Sequence, residues 1–234
     1  MIVLVLLLSY LAGSVPSGWL IVKIVTGRDI RDIESGRTGG TNAMRAAGWF
    51  AGVLTAGVDI FKGIATAWIV NWFMPGDVWL QVFAAVMAII GHNYSIFLVE
   101  RSESGRIRLR GGAGGATALG GAIALWPQVW LVILPLGVLV YLFIGYASVT
   151  TISVAFFATI VFAYRAVSDL SSWTYVLYGI LAQVILIWAL RPNLQRLARG
   201  TERAVGLRAY FVKKLRKVYP ILPGPFKHDN EKTG

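Results

Sequence analysis

The chain has 234 residues, 56% of them hydrophobic and 14% charged, with 22 Lys and Arg against 11 Asp and Glu and a net charge of +11. A soluble domain carries about 25% charged residues, so this composition excludes a single water-soluble globule and makes the bilayer the solvent. The absence of cysteine excludes a disulfide, a thiolate nucleophile and any Cys-ligated zinc or iron-sulfur centre.

The chain opens on an apolar run, Met1 to Ala12, without the basic start of a secretory signal, and this reads as a first membrane span and not a removable leader. Seven apolar segments have spanning character: residues 2–24, 50–73, 79–98, 113–125, 129–144, 150–163 and 173–190. The fourth is short and ends sharply at Trp126-Pro127, so it and the fifth are expected to form a tight helical hairpin. The expected fold is an all-α polytopic membrane protein of about seven transmembrane helices. A five-span variant, with the hairpin and one weak segment lying shallow, keeps the same inside face. Placing the N-terminus outside puts residues 23–45, residues 101–110 and the tail from Arg191, including the C-terminus, on the cytoplasmic side of an inner membrane. Those regions hold all the Lys and Arg except Lys62 and Arg165. Basic charge confined to short segments between apolar runs suits anionic lipid and phosphate-bearing substrates, not nucleic acid.

The first inside loop, Arg28-Asp29-Ile30-Arg31-Asp32-Ile33-Glu34-Ser35-Gly36-Arg37-Thr38-Gly39-Gly40-Thr41-Asn42 and then Arg45, combines glycines, hydroxyl donors and guanidinium groups. Such a loop has the composition of a phosphate cradle, because glycine backbones approach an anion closely; a flexible positive-inside loop has it too. In the second apolar segment Asp59 and Lys62 stand three apart, close enough on one helical face to pair. Ionisable residues at membrane depth are functional candidates, and a pair that only holds the bundle together remains the other reading.

The third segment ends in Gly91-His92-Asn93-Tyr94-Ser95, where His92 is either a base or phosphate donor or a structural hydrogen bonder. After the polar stretch 99–109 comes Arg110-Gly111-Gly112-Ala113-Gly114-Gly115-Ala116-Thr117, which opens a helix, so its free amides suit a phosphate. Gly111 and Gly115 also fit a small-residue helix contact. A third basic element, Asn193-Leu194-Gln195-Arg196-Leu197-Ala198-Arg199-Gly200-Thr201-Glu202, reaches the same face. Beyond it, residues 203–218 mix apolar and basic side chains, as expected of an amphipathic helix on anionic lipid or of a solvated basic tail. Pro220, Pro223, Gly224 and Pro225 break that pattern, and the polar end is expected to be disordered. The expected division is a transmembrane domain over residues 1–202 and a basic amphipathic cytoplasmic tail over 203–234.

No Walker-type Gly-Lys-Ser/Thr is present, His92 is not followed by an Asp at the spacing of the soluble-loop acyltransferases, and there is no Asp-Gly pair of the phosphatidyltransferases. Taken in order, Gly13-Ser14-Val15-Pro16-Ser17-Gly18, the loop from Asp29 to Asn42, Arg45, Asp59 to Gly63, Gly91-His92-Asn93, the run from Arg110 to Thr117 and that from Asn193 to Glu202 resemble the bacterial acyl-phosphate glycerol-3-phosphate acyltransferases, the PlsY family. Ser148-Val149-Thr150-Thr151-Ile152-Ser153 resembles the family's short inside turn.

That resemblance implies transfer of a fatty acyl group from acyl phosphate to the sn-1 hydroxyl of glycerol 3-phosphate, with no cofactor, no metal and no covalent enzyme intermediate, at a site facing the cytoplasm. It implies that Ser35, Asn42, His92 and Asn193 act in catalysis. It also implies that Arg31, Gly36, Gly39, Gly40, Thr41, Arg45, Lys62, Arg110, Gly111, Gly112, Gly114, Gly115 and Thr117 hold phosphate. The pattern departs from the family at Glu34, Arg37 and Gly40, where Gly, Asn and Ala are favoured, and at Arg110 and Ala113, where lysines are usual. It departs again at Ala189 and Leu190, which stand where the family has Arg and His. Leu190 and Ala113 keep open a second class, a lapsed or repurposed homologue that binds or moves an anionic lipid, and the intramembrane Asp59 and Lys62 a third, a transporter.

Overall fold

The computed structural model describes residues 1–101 and 105–218, with side chains through 215. The proline-rich end and residues 102–104 of the polar stretch lie outside the described residues. Within them the regular structure is helical apart from one small hairpin and an isolated bridge between Tyr146 and Ala204.

Helix α1 (Ile2–Ser14) and helix α2 (Ser17–Thr26) form one apolar run broken by Pro16, which lacks an N–H and holds Val15 extended. Gly27, in the left-handed region at φ +71°, closes α2 by donating its N–H to the Lys23 carbonyl. Short α3 (Gly40–Ala47) is followed by the 25-residue α4 (Trp49–Phe73) and by α5 (Val78–Asn93), which Asp77 caps through the Leu80 N–H. Strands β1 (Val99–Arg101) and β2 (Ile107–Leu109) pair antiparallel, Glu100 opposite Arg108. Helix α6 (Gly115–Leu125) stops at Trp126-Pro127, and α7 (Trp130–Leu139) continues as a π-turn to Ile144, where left-handed Gly145 ends it. Helices α8 (Ala147–Val167), α9 (Thr174–Ala198) and α10 (Gly206–Val218) complete the chain.

Five runs are long and apolar enough to cross a membrane: Ile2–Thr26, Trp49–Phe73, Pro127–Ile144, Ala147–Val167 and Thr174–Ala198. Helices α5 and α6 are apolar but shorter. All seven expected segments are therefore helical, with shifted ends. The segment expected at 150–163 starts earlier because Thr150 returns its hydroxyl to the Tyr146 carbonyl, which makes polar side chains acceptable in the first turn. The segment expected at 173–190 runs on through Pro192 to Ala198.

Lipid offers no hydrophobic gain for pairing two helices, so close van der Waals approach has to supply the attraction. Small residues sit at the crossings accordingly. Gly63 of α4 lies against the backbone of Thr117, Gly120 and Gly121 on α6, and Gly91 of α5 against α1 at Tyr10 and Ser14. Gly179 of α9 lies against Thr159 of α8. The largest core unites α5, α6, α8 and α9 around the fully buried Phe162 and Tyr178. The Tyr178 hydroxyl has a partner there, donating to the Ala118 carbonyl at 2.6 Å.

Candidate active site

Helices α3, α4, α6, α7, α8 and α9 enclose a cavity of about 480 Å³ at the end of the bundle that carries the first loop (residues 27–39). Its chemistry is split. One part is apolar, walled by Val53 and Ile60 of α4, Leu119, Ile133, Leu134, Val138 and Val154. Val53, Leu134 and Val138 are also 58%, 42% and 47% exposed, so this slot opens sideways between α4 and α7 onto the surface that meets lipid.

The other part is polar, and three helices begin there: α3 at Gly39-Gly40-Thr41, α6 at Gly114-Gly115-Ala116 and α8 at Ala147-Ser148. None of the three has a side-chain cap, so their positive dipole ends lie at the cavity without a side chain of their own to neutralise them, although the Asn42 N–H in the first turn of α3 donates to the Gly39 carbonyl. Gly114 turns the chain into α6 at φ +89°, and a Cβ there would meet the Asn93 side chain and Leu186. Convergent helix N-termini make an anion site.

Two arginines add charge. Arg45 lines the cavity partly buried, and among the described residues it forms no ion pair; burial lowers its guanidinium from the usual value. Arg37 is lowered by burial and then by neighbouring Arg196. Both stay charged, since arginine does not deprotonate in proteins. The Arg37 guanidinium donates to the Gly112 carbonyl at 3.0 Å and to the Ala189 carbonyl, tying the first loop to the glycine run and to α9. Pro192, which has no N–H, leaves the Trp188 carbonyl without its helical donor, and Arg191 Nε takes it at 3.2 Å.

Behind the polar wall lies a buried network. Asp59 Oδ1 accepts from Lys62 Nζ at 2.7 Å and from the Ser17 hydroxyl at 2.5 Å, and Lys62 also donates to Ser17 at 3.0 Å. His92 Nδ1 stands 3.5 Å from the same oxygen, and the far side of its ring lies against Gly112, where a Cβ would run into the imidazole. Asp59 Oδ2 and the Ser148 hydroxyl belong to cavity-lining residues and have no hydrogen-bond partner among the described residues.

A model of the glycerol-3-phosphate acyltransferase family matches residues 3–200. The chain belongs to that family. A glycerol-3-phosphate acyltransferase of Thermus thermophilus is 37% identical over 206 residues, covering 87% of this chain and 95% of the relative. Glycerol-3-phosphate acyltransferase 2 of Moorella thermoacetica is 35% identical over 209 residues, covering 88% and 98%. Among solved structures, PlsY, an integral membrane glycerol 3-phosphate acyltransferase, superposes in its glycerol 3-phosphate form with TM-score 0.75 at 29% identity, covering 90% of this chain and 98% of that one. Its lysophosphatidic acid form gives TM-score 0.72 at 28% identity.

Of the residues expected from the sequence of this acyltransferase-family chain, Ser35, Gly39, Gly40, Thr41, Asn42, Arg45, His92, Gly114, Gly115 and Asn193 line the cavity. Arg31, Gly36, Lys62, Arg110, Gly111, Gly112 and Thr117 do not. Arg31 and Arg110 are drawn off by one acid on the hairpin: Glu100 meets Arg31 at 3.1 Å and Arg110 at 2.7 Å. Arg31 also grips Asp29 at 2.7 Å, a hydrogen bond that holds that carboxyl far below the usual carboxylate range. Lys62 is consumed by Asp59, and Thr117 is fully buried in the α6 wall. Gly36 turns the first loop at φ +64°, while Gly111 and Gly112 lie beneath the cavity floor on His92.

Asn42 is as much a staple as a ligand, since its amide donates to the carbonyls of Ile30, Ile33 and Arg37 at 2.9–3.2 Å. Asn193 is held by Glu202 Oε1 at 2.9 Å, and Arg196 by Glu202 Oε2 at 3.2 Å. Glu34, where the resemblance has glycine, takes a left-handed conformation, φ +53°, and pairs with Arg203. Arg37 brings a guanidinium to Ala189, where the resemblance has an arginine in the family. Glu202, Tyr141 and Thr151 line the cavity without having been singled out as ligands, because no local pattern announces them.

Proposed function

We propose that this chain is a membrane acyltransferase that transfers a fatty acyl group from acyl phosphate to the sn-1 hydroxyl of glycerol 3-phosphate. The hydroxyl oxygen attacks the acyl carbonyl carbon, the bond from that carbon to the phosphate oxygen breaks, and lysophosphatidic acid and inorganic phosphate leave. The hydroxyl proton passes to a phosphate oxygen. A leaving group that is already phosphate asks of the protein alignment and charge neutralisation more than nucleophilic help.

One observation carries the reading: three uncapped helix N-termini and Arg45 meet at the polar end of a cavity whose other end is an apolar slot open to lipid. In this assignment Arg45 and the amides of α3, α6 and α8 hold the two phosphates. Ser35, Thr41, Asn193, Ser148 and His92 orient the acceptor and the carbonyl, and Arg37 and Asn42 fix the walls. The apolar slot takes the acyl chain. Leu190, buried in the wall, leaves the reaction without a second histidine, so proton transfer rests on substrate phosphate and His92.

Counting α5 and α6 as passes gives seven crossings. Helix α6, at 11 residues, rises about 16 Å, so the extended glycine backbone before it completes its pass, as is tolerated where backbone lines a cavity. With nearly all Lys and Arg on the site's side, the positive-inside rule puts the site in the cytoplasm and the N-terminus outside, in an inner membrane. Purified protein supplied with acyl phosphate and glycerol 3-phosphate should release lysophosphatidic acid and phosphate in equal amounts. Folded protein that binds both substrates and yields no product refutes the reaction and favours a lipid-binding homologue; Leu190→His then tests whether the missing imidazole is the cause.

A further inference from the structure

The family model ends at residue 200, and the chain continues beyond it, the first residues of that extension still lying within the 88–90% of the chain that relatives and solved structures cover. That extension is not loose at its start. Glu202 returns to α9, Arg203 pairs with Glu34 of the first loop, and Ala204 bridges to Tyr146. The N–H of buried Val205 donates to the Gly145 carbonyl at 2.9 Å. Gly206 then turns the chain at φ +58° against the backbone of Tyr141 and Leu142, and α10 begins there. Arg208 lies over the Tyr146 ring, 4.6 Å from its centre.

Helix α10 thus leaves the protein at the end of a membrane-spanning run, beside Phe143 and Ile144, which are 67% and 48% exposed and belong to its lipid-facing rim. From there most of its side chains through Leu215 are exposed among the described residues. Leu207, Phe211 and Leu215, spaced by four and so stacked on one stripe, are 40%, 55% and 51% exposed. By helical spacing Arg208 and Lys214 border the stripe and Lys213 stands on the face behind it, with Arg216 and Lys217 following in sequence, and the sequence from Arg203 to Val218 contains no Asp or Glu. An apolar stripe at the level of the membrane edge, continuous with an apolar rim and on a helix that carries cations and no acid, has the two complements of an anionic bilayer surface: hydrocarbon for the stripe and headgroup phosphate for the basic side chains.

We propose that α10 is a membrane-surface helix that binds the anionic phospholipid headgroups of the bilayer in which the protein sits. This does not rest on the acyltransferase reading, since a protein of any activity with this extension would present the same surface. The strap 201–205 fixes the helix's origin, so little freedom has to be lost when it settles on lipid.

The lack of native cysteine makes the test direct. Phe211→Cys in the full chain is labelled with an environment-sensitive dye and placed in nanodiscs of phosphatidylcholine alone or of an equal mixture with phosphatidylglycerol. A second reporter at exposed Asp32→Cys serves as the control. The dye at 211 should shift to the blue and be quenched by nitroxide lipid in the anionic discs, and both effects should weaken in the neutral discs and in high salt. The pair Lys213→Gln and Lys214→Gln should reduce headgroup-dependent burial several-fold while the control stays in water. A dye at 211 that reports water in both discs overturns the proposal. Equal burial in the two discs that ignores the lysine pair overturns it too, because the helix would then rest on protein or on hydrocarbon without reading charge.

Discussion

The Asp59 and Lys62 pair gives a prediction whose size follows from burial. The two side chains are 1% and 5% exposed, so solvent screens their interaction little. Asp59→Asn keeps the shape and leaves an acceptor for Ser17, but it strands the Lys62 ammonium without a counter-charge. Breaking one partner of a buried pair costs about 3–5 kcal/mol. At about 1.4 kcal/mol per factor of ten, that shifts the unfolding equilibrium by roughly 150-fold to 4,000-fold. Removing both charges, Asp59→Asn with Lys62→Met, should return most of the loss, because no charge is then left buried. Denaturant titration of the wild type, the two single variants and the double variant in one detergent measures the coupling. A single variant within about 1 kcal/mol of wild type, or a double variant whose loss equals the sum of the singles, refutes the claim that the pair exists for mutual neutralisation.

Other substitutions probe the cavity itself. Arg45→Ala should raise KM for glycerol 3-phosphate by about 10-fold to 100-fold, the size of a charge-assisted contact of about 1.5–3 kcal/mol, and Arg45→Lys should recover only part of it; initial rates at varied acceptor decide. Gly112→Ala drives a methyl group into the His92 ring, so turnover should fall at least about tenfold with a thermal midpoint near wild type, read by assay and melt on one preparation. Asn42→Ala removes donors from three loop carbonyls and should loosen residues 30–37 enough to speed limited proteolysis there, at a cost of about 1–3 kcal/mol. Glu100→Gln should release Arg31 and Arg110 from each other's neighbourhood without abolishing turnover, since neither arginine lines the cavity; loss of all activity would place them in the site after all.

Five of the seven expected segments were legible as spans because apolar length is a strong local signal, and all seven are helical. Their ends were less so. The boundary at Ala147 depends on a hydroxyl that bonds back into its own turn, and α9 crosses a proline that would ordinarily close a helix. The candidate site was legible as three basic, glycine-bearing motifs on one face, and the run expected to open a helix does so at Gly115, whereas the residues of α3 from Gly40 were read only as loop. What escaped is long-range. Arg37 reaches partners 75 and 152 residues away, and nothing near it in sequence separates it from Arg31, which a hairpin acid takes instead. Glu34 looked like a mere departure from the family until its left-handed backbone and its tail partner stood together.

The sideways mouth between α4 and α7 sets how the reaction should be measured. A substrate that enters through Val53, Leu134 and Val138 arrives by diffusion in two dimensions, so its effective concentration is a mole fraction within the lipid and not a molarity in the buffer. Adding inert detergent or lipid at constant donor should therefore slow the enzyme by dilution alone, while the water-borne acceptor obeys ordinary saturation. On the proposed reaction the two substrates would share one cavity yet answer to different phases, and a product released on the lipid side would be carried off by partition before it could compete for the polar end.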